Sequence, residues 1–212
     1  MRNLANMRTT PGGATQPASL GDDVGDWLGE LGVIRLQPDN ALYTPELGAT
    51  GVSFSAASGA RRLRSVSGIS RAATLPCTIF TVLDLTSNGY TDYIGASLRT
   101  TTNIQHGTYD ANSSVQLDTS CREQVASLNI PSGSLTSGRH CFAYVWDGTS
   151  CNILSDANTT NRVSIGSGTT TSAMLELTNT GAQNGTVVAW GVVYGAISSE
   201  VWSNIRAVAS TL

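Results

Sequence analysis

From about residue 33 almost to the C-terminus, apolar or alternating runs stay short before a cluster of Gly, Ser, Asn or Asp cuts them. Alternation with period two puts successive side chains on opposite faces of a strand, and turn residues at this spacing are what a sandwich or barrel of short strands requires. The pattern predicts strands at 52–55, 62–66, 77–85, 92–98, 104–109, 114–118, 124–130, 140–147, 151–155, 162–165, 173–178 and 186–194. Twelve short strands suit a two-sheet jelly roll better than a seven-stranded immunoglobulin sandwich. The expected fold class is all-β: an antiparallel two-sheet β-sandwich, with a short C-terminal helix and an extended N-terminal arm.

Three of these runs, at 78–83, 142–146 and 187–193, are apolar on both faces. Such strands belong at the centre of a sheet or beneath a cover. One cover is at hand, because Val201, Trp202, Ile205 and Val208 line one side of a helix starting near Ser199, with Ser198 as its cap and Glu200 at its positive end. At the other terminus, Pro11, Pro17 and a Thr/Gly/Ala-rich composition predict an arm over about 1–20 that orders only by docking. Val24, Trp27, Leu28 and Leu31 then fall on one helix face, although Gly25, Gly29 and Gly32 weaken that helix. The expected division is 1–30 for the arm and amphipathic segment, and 31–212 for the sandwich.

Composition narrows the chemistry. The 212 residues carry fifteen acids and twelve basic residues, a formal charge of −3, which disfavours nucleic acid and anionic membrane as partners. All twelve basic residues are arginine. A chain without lysine has no P-loop lysine, no Schiff-base lysine and no kinase-type ATP lysine. The residues after Met1 offer no secretory apolar core and no later run suggests a membrane span, which predicts cytoplasmic synthesis without a signal peptide.

Cys77, Cys121, Cys141 and Cys151 show no C-x-x-C spacing, so buried thiols are expected rather than zinc. A two-residue Asp147-Gly148 turn would set Tyr144 opposite Cys151, leaving Cys141 on the other face and unable to bond it.

The run Thr78-Ile79-Phe80-Thr81-Val82-Leu83-Asp84 reads as an early central strand. Phe142-Ala143-Tyr144-Val145-Trp146-Asp147-Gly148-Thr149 then forms a hairpin with Asn152-Ile153-Leu154. A closing strand Gly185-Thr186-Val187-Val188-Ala189-Trp190-Gly191-Val192-Val193-Tyr194 runs into Ala196-Ile197-Ser198-Ser199-Glu200-Val201-Trp202. This order over about 50–212 resembles the concanavalin A-like lectin/glucanase superfamily, in particular its laminin-G-like branch. The resemblance implies a jelly roll and a habit of binding glycans or proteins; it does not imply catalysis.

Glucanases of that superfamily carry a motif like E-x-D-x-E, which presents two carboxylates to one sugar bond. No such triplet occurs, nor does G-x-S-x-G, and His106 and His140 have no nucleophile signature beside them. The chain is expected not to be an enzyme. Its candidate ligand loops hold Tyr90, Asp92, Tyr109, Asp110, Asn112, Asp156 and Asn158; its candidate partner contacts are Arg2, Arg8, Arg61, Arg62 and Arg64. The stretches Asp110-Ala111-Asn112 and Asp156-Ala157-Asn158 have the oxygen-rich make-up of calcium loops but read more simply as turns, so no cofactor is expected. Arg62 and Arg64 share a strand face about Leu63, the pattern of a solvated sheet edge. A sandwich without catalytic acids, signal peptide or lysine points to a tailed-bacteriophage virion subunit, a capsid decoration or fibre-associated protein. Its partners would be other virion proteins, copies of itself or a cell-surface glycan. A free carbohydrate-binding protein is the alternative, and a glycoside hydrolase or lyase the third reading.

Overall fold

The structure is a computed structural model that describes residues 6–29, 34–38, 44–54, 61–66, 69–70, 76–85, 93–99, 104–112, 116–121, 124–129, 138–147, 150–155, 161–164, 172–180 and 185–212. In chain order the strands are β1 (Met7–Arg8), β2 (Asp26–Leu28), β3 (Arg35–Gln37), β4 (Glu46–Leu47), β5 (Val52–Ser53) and β6 (Arg61–Ser65). Then come β7 (Ile69–Ser70), β8 (Cys77–Leu85), β9 (Tyr93–Arg99), β10 (Ile104–Asn112), β11 (Gln116–Cys121) and β12 (Gln124–Asn129). The last are β13 (Gly138–Trp146), β14 (Ser150–Ser155), β15 (Asn161–Ser164), β16 (Ser172–Thr180) and β17 (Gly185–Val193), before helix α1 (Ser199–Ala209). They form two antiparallel sheets, a β-sandwich of the jelly-roll class. The larger runs β1-β2-β3-β6-β16-β9-β10-β11-β12, with β7 also on β16, and the smaller runs β15-β14-β13-β8-β17-β5-β4.

The run with apolar residues on both faces becomes the centre of the smaller sheet, as its composition requires. In β8 the odd positions Cys77, Ile79, Thr81 and Leu83 are buried and pair with Trp146, Tyr144, Phe142 and His140 of β13. These rows make one face, and Phe54, Leu36, Leu63 and Leu177 are also fully buried. The even positions make the opposite face. There Val82, Cys141, Ala143 and Val145 pack with Trp202 and Ala209 of α1, joined by Phe80, Val188, Ile197 and Ile205. A helix is thus the reason that both faces of β8 and β13 are apolar. Ser198 caps it by accepting from the Val201 N–H, and Arg206 sits in its last turn. Thr78, fully buried, ties the connection down by donating to the Gly195 carbonyl at 2.8 Å and accepting from the Ile197 N–H at 3.3 Å.

A bulge aims the aromatic residue of β17. Val187 pairs with Leu83 and Ala189 with Val82, so Val188 is an extra residue. A one-residue slip reverses every later side chain. Trp190 therefore lies opposite Thr81, on the face toward the other sheet, where its ring meets Trp27 edge to face at 6.0 Å. Gly191 in turn lies opposite Phe80, and a Cβ there would sit 2.2 Å from that ring.

The N-terminal segment differs from expectation in two ways. Of the residues expected to form a helix face, Trp27 and Leu28 instead stand in β2, because Met7 and Arg8 pair with Trp27 and Asp26 and offer strand hydrogen bonds that a glycine-rich helix cannot match, while Leu31 lies outside the described residues. The arm also docks on its own chain: Met7 and Pro17 are buried, Gly25 N–H donates to the Arg8 carbonyl, and Thr9 N–H to the Thr15 carbonyl. The β13–β14 hairpin differs by two positions, with Cys151 opposite Trp146 rather than Tyr144. A shift of two preserves the face, so Cys151 still pairs on the side away from Cys141. Cys77 and Cys141 are buried thiols outside any disulfide.

Candidate functional site

The carboxylates with resolved contacts are bound by their own chain. Asp84, at the end of β8, lies opposite Arg139 of β13 and is held by two guanidinium contacts, from Nε and, at 2.8 Å, from Nη2. Thr50 donates a further hydrogen bond to Asp84, and Arg139 Nη1 reaches the Ala209 carbonyl at the end of α1, 3.1 Å away. The guanidinium holds the Asp84 carboxyl below its ordinary pKa, with help from Thr50 and against partial burial. Arg139 is raised by the same partner. Asp22 is likewise lowered, by the backbone N–H groups of Ser19 and Ala18.

Asp26 is almost fully buried, yet it stands in a polar row. Arg35 Nε lies 3.1 Å from its Oδ2, and Gly12 N–H donates to the same oxygen at 3.1 Å. Oδ1 is buried without a hydrogen-bond partner. Register continues this row across the larger sheet: Arg8 is opposite Asp26, Gln37 opposite Arg64, and Arg64 opposite Glu176. Alternating charge at adjacent strand positions favours this register.

A second feature is a groove of about 830 Å³ along β17. Trp27 and Trp190 stand on one side, and the Val201, Ile205, Val208 edge of α1 on the other; Asn6, Thr50 and Asn204 supply its polar atoms. A smaller hollow of about 460 Å³ lies between β13 and α1 and is lined by Arg139, Cys141 and Arg206 among others. Among the described residues, no three His, Cys, Asp or Glu side chains gather as a metal site.

Several sequence-predicted residues change setting. Arg62 and Arg64 are half-buried around the fully buried Leu63, as alternation required. Strand β6 is not a sheet edge, because β1, β2 and β3 extend the sheet beyond it. Arg61 is opposite Asn179 in the same ladder. Tyr109, Asp110 and Asn112 stand in β10 and not in a loop: Asp110 pairs with Asp118 and Asn112 with Gln116, while the register shift at Tyr109 absorbs one residue. The short polar residues that looked like a turn there continue the ladder. Arg8 lies opposite Asp26 of its own chain. Arg2, Tyr90, Asp92, Asp156 and Asn158 lie outside the described residues. His140 is buried and stacks on Phe142 at 6.0 Å. The reading of single strands missed the Asp84–Arg139 and Asp26–Arg35 pairs, since both partners come from different strands; the only signal was a charge inside an apolar run.

No family model and no curated protein matches this sequence. Solved structures do match. The Trypanosoma rangeli sialidase superposes with a TM-score of 0.60 at 12% identity, over 96% of this chain and 35% of that one. Its complex with sialic acid gives a TM-score of 0.59 at 13% identity, with the same coverage of 96% and 35%. The chain thus spans about a third of the sialidase. An alginate lyase from Corynebacterium sp. matches over 73% of this chain and 82% of that one, with a TM-score of 0.48 and 12% identity. Likeness to the sialidase at this identity shows a common fold and nothing further.

Proposed function

We propose that the protein is a non-enzymatic recognition and structural subunit, a lectin-like β-sandwich of the kind carried on a tailed-bacteriophage virion as a capsid decoration or fibre-associated protein. The observation that carries the non-enzymatic reading is the state of Asp84. A glycosidase acid needs a carboxyl whose pKa is raised so that it holds a proton to donate. Asp84 is instead clamped by Arg139 and Thr50 and held low. Asp26 is bound through its Oδ2 by Arg35 and by the Gly12 N–H of the folded-back arm. These carboxylates join strands to one another and to α1.

The virion part rests on composition and fold together: a lysine-free chain rich in Ala, Gly, Thr and Ser, folded as a sandwich whose family habit is binding. Its partners in this reading are other virion proteins, copies of itself and a cell-surface glycan, and its place is the particle. The test is antibody detection of the chain in purified phage particles, beside glycan-array binding of the isolated protein. Presence in particles supports the virion reading. Glycan binding with absence from particles would replace it with a free carbohydrate-binding protein.

A further inference from the structure

Strand β17 is paired with β8 along its whole length, from Gly185 to Val193. On its other side β5 reaches only Thr186 and Val187. Among the described residues, no strand lies beside 188–193 on that side, so alternate backbone N–H and C=O groups of this run face outward. Natural sandwiches blunt such edges with lysine, other charges or proline. The run Val188-Ala189-Trp190-Gly191-Val192-Val193 has none of these. Its one irregularity, the bulge at Val188, falls where β5 ends, and register with β8 is regular from Ala189 onward.

Apolar side chains crowd the same place. Seven large ones are exposed among the described residues, and five of them flank this edge: Val193 at 38%, Tyr194 at 65%, Val201 at 43%, Val208 at 60% and Leu212 at 42%. No charged residue lines the groove between them. Exposed apolar surface gathered in this way marks an interface.

We infer that the open edge of β17 is a dimer interface, at which a second copy of this chain adds its own β17 antiparallel across a twofold axis. Charge complementarity selects this occupant. The groove is neutral, and a charged segment entering it would lose its hydration without a partner. Strand β17 is itself free of charge over all its residues. A twofold pairing also closes on itself, satisfying both open edges at once and leaving none for a third copy. The inference is independent of the virion reading, since it concerns the purified chain alone.

Sedimentation velocity of the full chain over a concentration series tests it, with amide hydrogen exchange on the same samples. The expected species has twice the 22.1 kDa chain mass, and the amides of 188–193 gain protection as it forms. Val208→Arg and Val193→Lys alter exposed side chains and should leave the fold unchanged by circular dichroism. Each should weaken self-association by at least about tenfold, because each places a charge in a neutral, apolar interface where it loses its hydration without a partner. Val193→Thr should retain the dimer. A wild-type chain that stays monomeric throughout would overturn the inference. So would a dimer that both charged variants leave intact, or one that adds no protection at 188–193.

Discussion

Removing the indole of Trp202 probes the contact on which the two-faced burial of β8 and β13 depends. Trp202 keeps only 7% of its surface and lies against Val82, Cys141, Ala143 and Val145. A buried tryptophan covers about 150–250 Å², worth roughly 4–6 kcal/mol at about 25 cal/mol per Å². Alanine recovers part of this by local collapse, so Trp202→Ala should cost about 3–5 kcal/mol. In a chain of this size that corresponds to a fall in Tm of roughly 6–20 °C. Urea unfolding followed by far-ultraviolet circular dichroism measures it, with Trp202→Phe as the milder control. The reasoning also requires exposure of Phe80 and Val82, visible as faster exchange in β8. A loss below about 1 kcal/mol, with β8 still protected, would refute the view that α1 seals this face.

Further expectations follow from the polar and glycine positions. Because Asp84 is held below its ordinary pKa in the folded state, its contribution is complete above the unfolded carboxyl value of about 4 and is lost as pH falls through the lowered one; Asp84→Asn should flatten that acid limb in a series of urea midpoints. Asp26→Ala should cost about 1–3 kcal/mol by removing the charged acceptor of Arg35 and Gly12, and hydrogen exchange should quicken across 8–15 before the sandwich unfolds. A Cβ at Gly51 would lie 2.2 Å from the Val187 carbonyl oxygen, whereas at Gly191 it meets the Phe80 ring; since a ring can turn and backbone cannot, Gly51→Ala should lower Tm more than Gly191→Ala.

Much of the sandwich was legible because side-chain period is a local property. All twelve sequence-predicted strands exist, and β8 matches its predicted bounds of 77–85. Helix α1 was equally plain, since Ser198, Glu200 and the Val201/Trp202/Ile205 side are local signals too. The two- and three-residue strands β1 to β4 and β7 were missed: no period can be read from Met7–Arg8, Glu46–Leu47 or Ile69–Ser70, whose conformation comes from the ladder they join. The same limit hid the centrality of Arg62 and Arg64, which depends on β3 arriving beside β6. It also hid the bulge at Val188, which turns Trp190 inward although Val187-Val188-Ala189 reads as uninterrupted strand. Site geometry was least visible, because Asp84 and Arg139 are 55 positions apart and only sheet register brings them together.

The central proposal is that Asp84 and Asp26 hold strands together and that the chain performs no hydrolysis. Its most direct test is product analysis after prolonged incubation of the purified protein with host-cell polysaccharides, sialosides and alginate, measuring released reducing ends, free sialic acid and unsaturated sugars. The account predicts no product from any of them at any pH at which the protein stays folded. Release of product by the wild-type chain, abolished by changing a single Asp or Glu without loss of folding, would contradict it.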